Sequence, residues 1–216
     1  MKKVKRSLLL ILMSLLLIPT VLIGCSSKPK IGPDETAQIL FDFYIKGDQS
    51  GLSKISINKD MADETKKIQK DATIKKIKDQ FKAGGLTIKD DQVEELYKVR
   101  SEALKGLSAT AEVVSKTDTT AEVKLKSKYI DEVALDEKAA DDAVKQVEKL
   151  QLKDEKDALN KLTEQYIKNL VEAYKNVKPA EGTKEKTFKF KVQEKIWLAE
   201  DMKEFGAGIA AIAIGL

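Results

Sequence analysis

Histidine is absent from all 216 residues, cysteine and tryptophan occur once each, and proline occurs four times. Without imidazole the chain lacks the usual general base near neutral pH and the commonest transition-metal ligand. Ser-His-Asp and Cys-His catalysis are therefore excluded, as are histidine zinc sites. A single cysteine permits no disulfide within the chain and no cysteine-ligated zinc or iron–sulfur centre. The glycine-rich phosphate loops G-x-x-x-x-G-K and G-x-G-x-x-G are missing, and so are the G-x-S-x-G nucleophile elbow and the Asp-x-Asp-x-Asp-Gly calcium loop. Carboxylates, lysines and oxygen-built cation sites are the chemistry that remains, and no metal or cofactor is expected.

Charge, by contrast, is abundant: 34% of residues are Asp, Glu, Lys or Arg. The 39 basic residues exceed the 35 acidic ones only because Lys2, Lys3, Lys5 and Arg6 open the chain; beyond residue 24 the two signs are equal, at 35 each. A nucleic-acid partner needs a net positive footprint to displace counterions, so none is expected. The acidic pairs Asp63-Glu64, Asp90-Asp91, Glu94-Glu95 and Asp141-Asp142 are adjacent and have lysines close by, the pattern of solvated helix faces.

The basic start runs into Leu8 to Ile18, apolar except for Ser14 and interrupted by Pro19. A spanning helix needs about 20 apolar residues, so this shorter stretch is an export signal in form. Leu22-Ile23-Gly24-Cys25 resembles the bacterial lipobox. That resemblance implies cleavage between Gly24 and Cys25, with diacylglycerol on Cys25 Sγ, and a facing toward the cell exterior. Two acyl chains hold a protein to a membrane where one binds reversibly. An uncleaved anchor with an idle thiol is the alternative. Residues 1–24 then form the signal peptide, 25–33 the lipidated cysteine and a Pro- and Gly-containing tether, and 34–216 one folded domain.

Within that domain the spacing predicts helices from an Asp34 cap to Gly47, from Asp60 to Lys82, and from a cap at Asp90 or Asp91 to Gly106. The period then changes to two: Ala109, Ala111 and Val113, followed after a turn by Ala121, Val123, Leu125, Ser127 and Tyr129. Helical spacing returns over Leu135 to Leu150 and over Leu159, Leu162, Tyr166, Leu170, Ala173 and Val177. Phe188, Phe190 and Val192 alternate again before Ile196-Trp197-Leu198, and Glu200 to Leu216 is expected to be a helix docking on the core. This order is α+β: several helices packed on a small curved antiparallel sheet, which is expected to curve over the long Leu159 to Val177 helix.

The runs "ETAQILFDFYIKGD", "TAEVKLKSKYIDEVALDEKAADDAV", "LTEQYIKNLVEAYKN" and "KEKTFKFKVQEKIWLAEDM" together resemble a family of Gram-positive lipoproteins carrying a domain of unknown function. The closing strand pattern also resembles the end of the cone-shaped nuclear transport factor 2-like fold. The family implies a tethered extracytoplasmic domain and supplies no catalytic residues. The expectation is therefore a non-enzymatic lipoprotein that holds a small ligand or an envelope protein at the membrane surface. A cone-shaped sheet would place Tyr44, Tyr129, Phe188, Phe190 and Trp197 around an apolar pocket, each with core packing as its ordinary alternative. A hydrolase of wall or glycan material working through two carboxylates is the competing class, and a structural protein that docks its charged helices on a neighbour is a third.

Overall fold

The computed structural model describes residues 28–216, so the signal segment, the cleavage point at Gly24 and the lipidation candidate Cys25 lie outside the described residues. The first helix, α1 (Pro33–Phe41), starts one residue before the expected cap: Gly32 is the N-cap and Asp34 sits in the first turn. Pro33 sets this start, because its fixed φ suits the first helical position, and Asp34 there favours the positive end of the helix dipole. A π-helical turn (Asp42–Lys46) continues α1 and ends at Gly47, whose φ of +70° only glycine adopts without strain.

After a 3₁₀ turn (Leu52–Ile55), Asn58 caps α2 (Lys59–Ala83) by accepting from the Met61 amide at 2.9 Å. Helix α3 (Asp90–Lys105) is capped at Lys89, not at Asp90 or Asp91. Gln92 Oε1 reaches back to accept from the Lys89 amide at 3.0 Å, which leaves both aspartates in the first turn, where carboxylates offset the dipole.

Four strands follow, β1 (Ala109–Lys116), β2 (Thr120–Ser127), β3 (Lys184–Gln193) and β4 (Ile196–Ala199), in an antiparallel meander of order β1-β2-β3-β4. Between β2 and β3 the chain makes a helical hairpin, α4 (Glu132–Glu148) and α5 (Glu155–Asn176), and after β4 it closes with α6 (Met202–Ala213). Among the described residues the architecture is α+β, six α-helices and a curved four-stranded sheet.

Pairing of Val123 with Phe188, Ala121 with Phe190 and Phe190 with Ala199 puts alternate side chains of three strands on one face. That face is covered by Ala37, Leu40 and Phe41 of α1 and by Phe205, Ile209 and Ile212 of α6, all buried. Each such side chain contributes about 1.5–3 kcal/mol on burial, which is why the apolar end of the chain docks as a helix.

The sheet does not curve over the long helix. Helix α5 packs instead on α4 and α3, where Tyr166, Ile167 and Leu170 join Val93 and Leu96 of α3, Ile77 and Phe81 of α2, and Ala139, Ala140 and Ala143 of α4 in a second core. The alanines let α4 and α5 approach closely, and the sheet face is already filled by α1 and α6. Leu159, at the start of α5, extends past this core and is 37% exposed. Leu104, Leu107, Ile130 and Ala213 form a small third cluster; Leu135 packs against both it and the helical core, and Ile45 against both it and the sheet core.

Candidate functional site

A cleft of about 300 Å³ opens where the π turn, α2 and α3 meet. Each element supplies one stripe of side chains. Lys66, Gln69 and Thr73 come from α2 at helical spacing, Tyr97, Arg100, Ser101 and Leu104 come from α3, and the π turn adds Phe43 to Gly47. A π turn wedges an extra residue into the helix and displaces its side chains outward, a device common at functional sites. Among the described residues that line the cleft none is acidic, whereas Lys46, Lys66, Arg100 and Lys105 are cationic.

These cations differ in their partners. Lys46 pairs with Asp42 at 2.9 Å and Lys105 with Glu102 at 2.6 Å. Arg100 is bound twice to Glu132, and Lys66 donates only to the Gly47 carbonyl, at 3.2 Å. Beside Lys66, Gln69 Nε2 is buried without a hydrogen-bond partner among the described residues. The hydroxyls of Thr73 and Ser101 donate to the carbonyls of Gln69 and Tyr97, one turn earlier, both at 2.8 Å. Burial pushes the Tyr44 phenol above its ordinary range, so its hydroxyl keeps its proton.

Behind the cleft lies a buried polar cluster. Arg100 and Glu132 face Tyr174, within hydrogen-bonding reach of both. One turn along α4, the Tyr166 hydroxyl donates to Asp136, whose other oxygen is buried without a partner among the described residues. Burial pushes the Asp136 carboxyl up to about 6 against the pull of that hydrogen bond, and the charges of Glu132 and Glu137 add to the rise. Burial also pushes Glu132 up, opposed by Arg100. Neither carboxylate lines the cleft.

No known family profile matches the chain and no curated protein matches it. One solved structure does: "a putative lipoprotein (ycdA) from Bacillus subtilis subsp. subtilis str. 168" is similar with a TM-score of 0.58 and 17% identity. This is a likeness of fold. The match covers 84% of this chain and 56% of the other, so the chain spans a little over half the length of that neighbour.

The five aromatics expected around one pocket are divided by the fold. Phe188, Phe190 and Trp197 are at most 5% exposed and belong to the sheet core, where Phe205 wedges its ring against Phe188 and Phe190 at centroid distances of 4.8 and 5.6 Å. Phe188 also borders a separate hollow of about 360 Å³ between β3 and the start of α6. Tyr44 lines the cleft, and Tyr129 packs beside Gly182, Gly215 and Lys184 at the far end of β2. Trp197 points to the core while Ile196 and Leu198 stay half-buried on the opposite face.

Three of the adjacent acidic pairs lie on helix surfaces in lysine ion pairs, Lys78 with Asp90, Lys70 with Glu94 and Lys138 with Asp142, whereas Asp63 accepts from Gln49 Nε2 at 2.8 Å. Among the described residues no three His, Cys, Asp or Glu side chains gather as a metal site, and no helix is long and apolar enough to cross a membrane.

Lys66, Gln69 and Arg100 were not legible as site residues from spacing. One signal did exist: Arg100 is the only arginine after Arg6 in a chain otherwise supplied with lysine. Only a guanidinium meets a carboxylate at two points and still has donors left.

Proposed function

We propose that the mature chain is a lipid-anchored extracytoplasmic domain that holds a ligand or partner at the outer face of the cytoplasmic membrane and catalyses no reaction. The observation that carries this reading is Cys25, the sole cysteine, placed directly behind a basic, apolar, proline-broken leader in a lipobox-like setting. The fold's likeness to a protein described as a lipoprotein supports it. So does the short path from Cys25 to α1 at Pro33, which keeps the domain close to the bilayer. The kinship with Gram-positive lipoproteins and with the nuclear transport factor 2-like cone rests on the sequence resemblance alone.

The competing hydrolase has its best acids in Glu132 and Asp136, since burial raises both carboxyls as a general acid requires. Both are buried away from the cleft, at 3% and 5% exposure, which supports a structural role for them. Fractionation of a Gram-positive host that expresses the native chain and Cys25→Ala tests the anchor. Native protein is expected in the membrane fraction and the variant in the medium. Retention of the variant in the membrane overturns the proposal.

A further inference from the structure

We propose that the cleft between the π turn, α2 and α3 binds a small organic anion, a carboxylate or phosphate ester with an aromatic or aliphatic body, seated on Lys66 and Gln69. The inference deepens the ligand-holding half of the proposed function and rests on it for its biological sense, though not for its geometry.

Lys66 and Gln69, three residues apart on α2, share one helix face. Among the described residues the ammonium of Lys66 has no carboxylate within ion-pair distance and a single carbonyl partner, Gly47 O, which leaves two of its three N–H groups uncommitted there. Gln69 Nε2 brings an amide donor that is shut off from water and makes no hydrogen bond to the described residues. A buried donor without a partner carries the full cost of its desolvation; a turn of the Gln69 side chain that brings Nε2 to an anionic oxygen held on the Lys66 ammonium removes that cost. The left-handed backbone is what calls for glycine at position 47; a Cβ there would meet Lys66 Nζ at 3.6 Å, an ordinary contact.

Among the described residues Lys66 is the one cleft cation without a carboxylate partner, since Lys46, Lys105 and Arg100 pair with Asp42, Glu102 and Glu132. Arg100 commits two of its five N–H donors to Glu132 and lines the cleft with its side chain. Lys76, two turns along α2 from Gln69, is held below its ordinary range by burial and by the charge of Arg100, as a group in a positive environment would be. The carboxylates that pair with the other three cations stand behind the walls and not among the lining residues. The apolar part of the surface, from Phe43, Tyr44, Ile45, Tyr97 and Leu104, is what a purely hydrated ion would not need and an organic body would. The volume of about 300 Å³ is at the small end of ligand sites, which points to a single ring or short chain and excludes a polymer segment buried whole.

The test is isothermal titration of the full chain, purified in a non-ionic detergent, with benzoate, phenyl phosphate, inorganic phosphate and benzyl alcohol. Benzoate or phenyl phosphate is expected to bind at least about tenfold more tightly than benzyl alcohol, with affinity falling as salt rises. Phenyl phosphate binding more tightly than inorganic phosphate assigns the apolar wall a part in recognition; the reverse order overturns the organic half of the proposal. Lys66→Met, at an exposed position that leaves the fold intact, is expected to weaken the anion about tenfold or more, and Gln69→Leu to weaken it further. Lys75→Met, on the outer face of α2, is expected to change nothing. Equal affinity for benzoate and benzyl alcohol, unchanged affinity in Lys66→Met, or no binding by any of the four overturns the site. Such a result leaves the lipid at Cys25 untouched, whereas a chain that binds the anions but carries no lipid overturns the anchor and keeps the site.

Discussion

Arg100 and Glu132 form a two-point ion pair inside the protein, Nε to Oε1 at 2.8 Å and Nη2 to Oε2 at 3.4 Å, with side chains 10% and 3% exposed. It ties the middle of α3 to the first residue of α4, the point where the chain leaves the sheet for the helical layer. Removal of one member of such a pair strands the other charge in a poor solvent, at about 3–5 kcal/mol, while replacement of both by apolar residues is often neutral. In urea unfolding, Glu132→Ala is expected to lose stability in that range, and the double variant Arg100→Met with Glu132→Leu to recover most of it. A double variant as unstable as the sum of its singles would show that the packing, not the charge, is what matters.

Asp136 gives the fold a pH dependence of known sign. Its carboxyl, ordinarily at 3.8, is raised to about 6 in the folded chain, so the folded state holds this proton more tightly than the unfolded state does. Its contribution to stability is therefore greatest below about pH 3.8, declines as pH rises to about 6, and is level above. Asparagine keeps an acceptor for the Tyr166 hydroxyl without the charge. Asp136→Asn is expected to be more stable than the parent above pH 6 by about 1–3 kcal/mol and to lose the advantage toward pH 4. Unfolding free energies across that range measure it, and a pH-independent difference between the two proteins contradicts the assignment.

Gly208 on α6 has no room for a methyl group. A Cβ there would lie 2.5 Å from Phe188 Cε1 and 2.8 Å from Cζ, and the Phe205 ring holds Phe188 in place. Alanine gains about 1 kcal/mol in helix propensity over glycine, but overpacking costs about 1–3 kcal/mol, and against a ring wedged on both sides the clash wins. Gly208→Ala is expected to lower the melting temperature, and Phe188→Leu added to it to restore part of the loss. An alanine variant more stable than the parent would mean that α6 shifts freely on the sheet.

The same two kinds of information explain what the sequence revealed. Helix ends were legible at glycines, at Gly47, where the left-handed backbone requires one, and at Gly84 and Gly106, where a poor helix former ends the run, and strands wherever polar residues alternated with buried ones, as in β2 and β3. Helix α6 was legible from its apolar run. Partner choice was not. The stripe on α5 shows that a face is buried without saying whether a sheet or the alanine face of α4 covers it. For the same reason nothing in the sequence marks Arg100 and Glu132, 32 residues apart, as a buried pair. The cleft was least legible, because Lys66 and Gln69 acquire meaning only from the π turn set against them.

The hairpin between β3 and β4 turns on Glu194 and Lys195, with φ of +47° and +69°. Both central residues of this two-residue loop are left-handed, the conformation that Asn-Gly adopts most easily. Lys195→Gly is expected to raise stability by about 1 kcal/mol. Thermal denaturation reads the change, and a loss of stability would contradict the left-handed assignment at this position.

The central claim concerns Cys25, and the intact mass of the mature native protein tests it most directly. The expected species begins at Cys25 and carries the added mass of a diacylglyceryl group, which disappears in Cys25→Ala. A native protein that retains residues 1–24, or that begins at Cys25 without lipid, contradicts the account.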